Sequence, residues 1–70
     1  MYKVLSKQVL SETETEGIVE FNGNKVLTFY RDEEVGTTVY YGEDVVGDGI
    51  EEIDGVNGWD IVENVIDLIS

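Results

Sequence analysis

The side chains in this sequence that could do chemistry are almost all carboxylates. The chain has 70 residues, with sixteen Asp and Glu, no His and no Cys. The absence of imidazole and thiol groups excludes Ser-His-Asp and Cys-His catalysis, and also zinc sites built from nitrogen and sulfur ligands. A pair of carboxylates could still hydrolyse a glycosidic bond, but that chemistry needs a cleft that holds both groups. So short a chain is expected to form no such cleft, and we predict that the protein is not an enzyme.

The oxygen-rich segment from Glu43 to Asp54 is the only candidate site for a hard cation such as calcium. An EF-hand loop needs acids at alternate positions and then glycine, and this spacing is absent. The sequence Gly-Asp-Gly at 47–49 lacks the further glycines of a phosphate-binding loop, and its carboxylate would repel phosphate. We therefore predict a solvated acidic loop with no metal and no cofactor.

The charged residues are distributed unevenly along the chain. The net charge of −12 falls entirely on residues 32–70, which contain twelve acids and no base, whereas residues 1–31 balance four acids against four bases. Such a surface disfavours direct contact with nucleic acid or anionic lipid and favours a basic protein partner. Acidic residues also keep small proteins soluble, but a solubilising surface normally mixes both signs of charge.

Four segments have the composition of β-strands, and together they would form an antiparallel sheet. In the first, alternation assigns Lys7 to the face opposite Tyr2 and Val4. The second and third are separated by Asn-Gly-Asn at 22–24, whose residues tolerate the positive φ of a tight hairpin. In chain order, the predicted strands are 2–10, 17–21, 25–31 and 37–41. Residues 42–58 are rich in glycine and acid and are expected to form a loop with at most one helical turn around 50–54.

The C-terminal segment from Trp59 to Ser70 has the pattern of an amphipathic helix. At 100° per residue, its apolar side chains occupy one half of the circumference and its acids the other. Asn57 is a plausible N-cap, and Asp60 is well placed for the positive end of the helix dipole. The sequence thus predicts one α+β domain over residues 1–70, with an antiparallel sheet of about four strands and one C-terminal helix packed on one face.

Two features of the chain bear on location and assembly. It has neither the apolar core of a signal peptide nor a run of about 20 apolar residues, so a cytoplasmic protein is the default expectation and no membrane contact is predicted. The apolar half of the last helix is wide. A small core could bury all of it, or its uncovered edge could contact a second copy of the chain or the groove of a partner protein.

The acids of the last helix are the clearest candidate binding residues. Asp60, Glu63 and Asp67 follow an i, i+3, i+7 spacing, which forms a row with neighbours about 5 to 6 Å apart on the exposed side of a helix. The loop before the helix adds six more. The candidate partner-binding residues are Glu43, Asp44, Asp48, Glu51, Glu52, Asp54, Asp60, Glu63 and Asp67.

These observations favour a small acidic inhibitor that occupies a basic, normally nucleic-acid-binding surface of another protein. In size, acidity and α+β layout the chain resembles, as a class, the DNA-mimic proteins that phages use against restriction and CRISPR systems. That class shares charge rather than sequence, so the resemblance assigns no residue here. The alternative is a non-catalytic structural or interaction module that forms homo-oligomers through the wide apolar face of the last helix.

Overall fold

The computed structural model describes residues 1–70 and consists of a β-sheet layer and one helix. The main sheet is antiparallel and has five strands in simple chain order, and a separate two-stranded sheet follows it. The predicted α+β fold, with an antiparallel sheet and a C-terminal helix on one face, is confirmed. The strands are β1 (Tyr2–Val9), β2 (Glu14–Phe21), β3 (Lys25–Asp32), β4 (Gly36–Tyr41), β5 (Asp44–Val45), β6 (Glu52–Ile53) and β7 (Val56–Asn57), and the helix is α1 (Gly58–Ile69).

The central hairpin of β2 and β3 forms as the sequence predicts. Phe21 pairs with Lys25 across the turn. Within the turn, Asn22 and Gly23 have φ values of 55° and 79°, which is the left-handed region that Asn and Gly adopt most readily.

The sheet and the helix share one hydrophobic core of eleven buried side chains. Alternation along β2, β3 and β4 directs the side chains that become buried to one face of the sheet. Burial of each Val, Leu, Ile or Phe side chain contributes about 1.5 to 3 kcal/mol, and this packing holds the helix on the sheet. The core consists of Val19, Phe21, Leu27, Phe29 and Val39 from the sheet, Val46 and Ile53 from the connecting segment, and Ile61, Val62, Val65 and Ile69 from the helix.

Residues 42–58 contain three short strands, so the prediction that this segment is a loop is wrong. The short strand β5 extends the sheet after a turn in which Gly42 has a φ of 65°. Strands β6 and β7 then form a tight hairpin around Asp54 and Gly55, whose φ values are 51° and 80°. Positive φ at both turn residues is the type I′ geometry for which Asp-Gly is a strong signal. No helical turn forms around 50–54.

A β-bulge in β1 changes which residues face the helix. The pairing of β1 with β2 skips Leu5, and one extra residue reverses the alternation that follows it. Lys7 therefore lies on the helix side of the sheet together with Tyr2 and Val4, not opposite them as predicted. Its Nζ donates a hydrogen bond to the carbonyl oxygen of Ile69 at 3.2 Å, a favourable place for a cation because it is the negative end of the helix dipole.

The start of the helix matches the sequence prediction. Asn57 is the N-cap, and its side-chain oxygen accepts a hydrogen bond from the backbone N–H of Trp59 at 2.9 Å. The helix has 12 residues, and no helix of the protein is both long and apolar enough to cross a bilayer.

Gly17 lies in β2 where neighbouring atoms leave no room for a side chain. A Cβ atom at this position would be 2.2 Å from the carbonyl oxygen of Ser6 and 2.7 Å from Cε2 of Phe29. Glycine thus allows β1 to approach β2 beside the bulge while the Phe29 ring fills the space above the strand.

The substitution Gly17→Ala is expected to lower the free energy of unfolding by about 2 to 3 kcal/mol, because the backbone of β1 must move to admit the methyl group. The control Glu16→Ala also introduces an alanine into β2, but on the exposed face, and should change the free energy of unfolding by about 0.5 kcal/mol or less. Chemical denaturation measures both values. Equal stability of the two variants would mean that the close approach at Gly17 does not constrain the fold.

Candidate partner-binding surface

The acids of α1 form a row on the side of the helix that faces away from the sheet. Asp60, Glu63 and Asp67 are exposed, whereas Ile61 and Val65 on the opposite side are fully buried. From its first to its last residue the row extends about 10 Å along the helix axis. None of the three acids forms an ion pair, because the only ion pair in the protein joins Lys25 to Asp54. We call Asp60, Glu63 and Asp67 the helix row.

The six remaining candidate acids are also exposed, but they lie on separate turns of the segment before the helix. Glu43 is in the turn between β4 and β5, and Asp44 begins β5. The side chain of Asp44 lies close to the turn that contains Asp48, since a Cβ atom at Gly49 would be 3.9 Å from Asp44 Cβ. These two turns are thus brought together. The others are Glu51 just before β6, Glu52 within it and Asp54 at the tip of the β6–β7 hairpin.

Asp54 differs from the other candidates because it has a cationic neighbour. Its Oδ1 lies 3.9 Å from Lys25 Nζ, and both side chains are partly exposed. An ion pair of this kind contributes little to stability, but it partly offsets the charge that a partner would meet. Nowhere do three acidic side chains converge closely enough to bind a metal ion.

Trp59 borders the helix row and is not one of the nine candidate partner-binding acids. It is 55% exposed, and its ring lies against Gly47, where a Cβ atom would be 3.0 Å from Trp59 Cδ2. The glycine lets the indole ring rest on the connecting segment while much of the ring remains open to solvent. Helical periodicity places Trp59 at the margin of the apolar half, and periodicity alone cannot decide whether a residue at the margin is buried.

A second exposed surface is the face of the sheet that the helix does not cover, which we call the open sheet face. None of its residues is among the nine candidate partner-binding acids. Its side chains alternate with those of the core, and four of them are acids, so negative charge lies on both sides of the molecule. The main contributors are Glu14, Glu16, Ile18 and Glu20 from β2, Val26, Thr28, Tyr30 and Asp32 from β3, and Tyr40 from β4.

Two tyrosines have perturbed ionisation. On the open sheet face, the Tyr30 hydroxyl donates a hydrogen bond to the Glu14 carboxylate, and this bond raises the pKa of Tyr30 to about 12. On the helix side, burial raises the pKa of Tyr2, and the charge of Asp60 acts in the same direction. The Tyr2 hydroxyl accepts a hydrogen bond from Asn64 Nδ2 at 3.4 Å, which connects the start of β1 to the helix.

The Tyr30 pKa predicts a specific pH dependence. The folded protein holds this proton more tightly than the unfolded chain does, so the stabilisation is complete below pH 10 and is lost as the pH rises through about 12. Glu14→Gln should move the Tyr30 pKa back toward its ordinary value, because the acceptor loses its charge. Glu34→Gln, at an exposed turn, should leave it unchanged. A tyrosinate absorbance titration measures the pKa, and the variant Tyr30→Phe identifies the contribution of Tyr30. An ordinary tyrosine pKa for Tyr30 in the unmodified protein would contradict the hydrogen bond to Glu14.

No protein-family model, no curated protein and no solved structure matches this chain. Its fold and surface define it as a small α+β domain with exposed and almost entirely unpaired carboxylates. What it does must therefore be inferred from its own residues.

Proposed function

We propose that this protein is a non-catalytic inhibitor that mimics the charge of nucleic acid and occupies a basic, nucleic-acid-binding surface of a target protein. The class it fits best is that of the phage proteins that act against CRISPR or restriction systems. Such targets work in the cytoplasm, which is the expected site of action.

The observation that carries this proposal is the helix row. It consists of three exposed carboxylates with regular spacing on a rigid element, and no cation of the chain pairs with any of them. A nucleic-acid-binding surface presents Lys and Arg to phosphates, and fixed carboxylates can occupy the same cations. The absence of internal pairs matters because a paired carboxylate would have to lose its partner before it could bind a target.

Trp59 would add an apolar contact to such a complex, and salt does not screen an apolar contact. Exposed tryptophans next to charged residues are often the anchors of protein interfaces, since they bury a large area at low cost in conformational entropy. The position of Trp59 beside the helix row suits this role. It is the only tryptophan in the chain, so its fluorescence also reports directly on contact at this surface.

The alternative is a homo-oligomeric module that uses the wide apolar face of the helix. Little of that face is exposed and available for a contact between copies. Ile61, Val62 and Val65 are already buried in the core. The apolar helix residues that remain exposed are Trp59 and Leu68, which are nine residues apart and therefore point to opposite sides of the helix. They do not form one patch, and so we favour the inhibitor.

The test is capture of target proteins from a nuclease-treated lysate of the source organism at low salt, followed by purification of the captured protein and titration with Trp59 fluorescence as the readout. The helix variant Asp60→Asn, Glu63→Gln, Asp67→Asn is expected to weaken binding about 10- to 100-fold, because it removes three contacts of roughly 0.5 to 1 kcal/mol each. The captured protein should be one that binds nucleic acid.

The matched control changes the same number of charges elsewhere. Glu12, Glu33 and Glu34 are exposed acids on the turns that follow β1 and β3, and their conversion to Gln should leave affinity nearly unchanged. If the control weakens binding as much as the helix variant does, net charge rather than the helix row determines binding. Capture of no nucleic-acid-binding protein would overturn the proposal.

A further inference from the structure

The open sheet face contains a groove that the proposed function does not use. Its volume is about 370 Å³, and it crosses the four longest strands. The lining side chains that matter here are Ser6, Glu16, Ile18, Thr28, Tyr30 and Tyr40.

The register explains why a depression forms at this place. Ser6, Ile18, Thr28 and Tyr40 lie side by side in one row across β1 to β4. Glu16 and Tyr30 are direct neighbours in the next row. Because Ser6 and Thr28 are shorter than their neighbours Ile18 and Tyr40, the row is lowest at these two positions and has an aromatic ring at its β4 end.

The chemistry of this groove suits one kind of side chain. It offers a single exposed carboxylate, Glu16, beside the Tyr30 ring, and the Tyr40 ring also lines it. A guanidinium group can bind a carboxylate with two parallel hydrogen bonds and can also stack on an aromatic ring, and its aliphatic stem can cover an apolar side chain such as Ile18. A lysine ammonium group matches the charge but lacks the planar surface for stacking.

Charge on the rest of the face determines what kind of molecule can approach. The face carries the acids Glu14, Glu16, Glu20 and Asp32 against one base, Lys3. A second copy of this chain would bring like charges together across the contact, which is unfavourable. A cationic segment is complementary to the same surface, and exposed apolar residues such as Val26, which is 51% exposed, would add contact area.

We infer that the open sheet face is a second docking surface, in which the groove binds an arginine side chain of a basic protein segment. The inference rests on the proposed function for the class of partner, and extends the contact to the side of the molecule opposite the helix row. The target would thus be held by carboxylates on the helix and by an arginine contact on the sheet.

The test uses the isotope-labelled 70-residue protein and short capped peptides, and it does not need the target. The peptide acetyl-Gly-Arg-Gly-amide is expected to bind with a dissociation constant on the order of 1 to 10 mM, as a single surface ion pair with stacking allows. Amide chemical shifts should change on β2, β3 and β4 around the groove. The matching peptide with citrulline, which has the same shape without the charge, should bind at least about 5-fold more weakly, and the lysine peptide should also bind more weakly.

Two variants separate this site from general charge attraction. Glu16→Gln and Tyr40→Leu should each weaken binding of the arginine peptide about 5-fold. The first removes the charge that pairs with the guanidinium group, and the second removes an aromatic ring on which it can stack. Glu34→Gln makes the same charge change at a distant exposed turn and should have no effect. The unchanged amide spectrum outside the groove verifies that each variant is folded.

Several outcomes would overturn the inference. They are equal binding of the arginine and citrulline peptides, shift changes centred on α1, equal weakening by Glu16→Gln and Glu34→Gln, and no shift change at all. Shifts on the open sheet face that depend on protein concentration without peptide would identify a second copy as the occupant. A negative result with the peptides would not contradict the proposal for the helix row. Likewise, the effect of the helix variant on target binding does not bear on the groove, so the two proposals can fail separately.

Discussion

The packing of the C-terminal helix on one face of the sheet is the interaction on which the rest of the structure depends. Ile61, Val62, Val65 and Ile69 contribute four of the eleven core side chains, and without them the sheet would have no covered face. The same packing fixes which way the rest of the helix points. Because the apolar half faces the sheet, Asp60, Glu63 and Asp67 face solvent. Because only one face is covered, the other face of the sheet stays open.

The charge of the protein is a cost that this small core must offset. A net charge of −12 with a single, partly exposed ion pair means that carboxylates repel each other with little internal compensation. Two of the four cationic side chains are used locally. Lys7 caps the end of the helix and Lys25 lies beside Asp54. Most of the remaining carboxylates are therefore free to pair with cations of another molecule, as the proposed binding function requires.

The sequence predicts the parts of the fold that depend on local patterns. The helix and its cap follow from periodicity and from Asn57, and the β2–β3 hairpin follows from Asn-Gly-Asn between two β-rich runs. The hairpin at Asp54-Gly55 was missed even though its dipeptide signal is present, because the surrounding glycines and acids suggested a loop. The bulge at Leu5 has no comparable signal. It depends on the close approach that Gly17 permits between β1 and β2, and it moves Lys7 to the opposite face of the sheet.

The candidate site could be predicted only in part for a related reason. Spacing along a helix determines which acids share a side, so the helix row was found from the sequence. The exposure of Trp59 depends on how its ring rests on Gly47, and the groove at Glu16 depends on register across four strands. Neither contact is encoded in local periodicity.

Competition between this protein and double-stranded DNA for the purified target tests the central claim most directly. If the protein mimics nucleic acid, DNA should displace it completely and competitively, and raising the salt from about 50 mM to about 200 mM should weaken the complex by at least about 10-fold. A stable ternary complex of target, DNA and this protein, with an affinity that salt does not change, would contradict the claim.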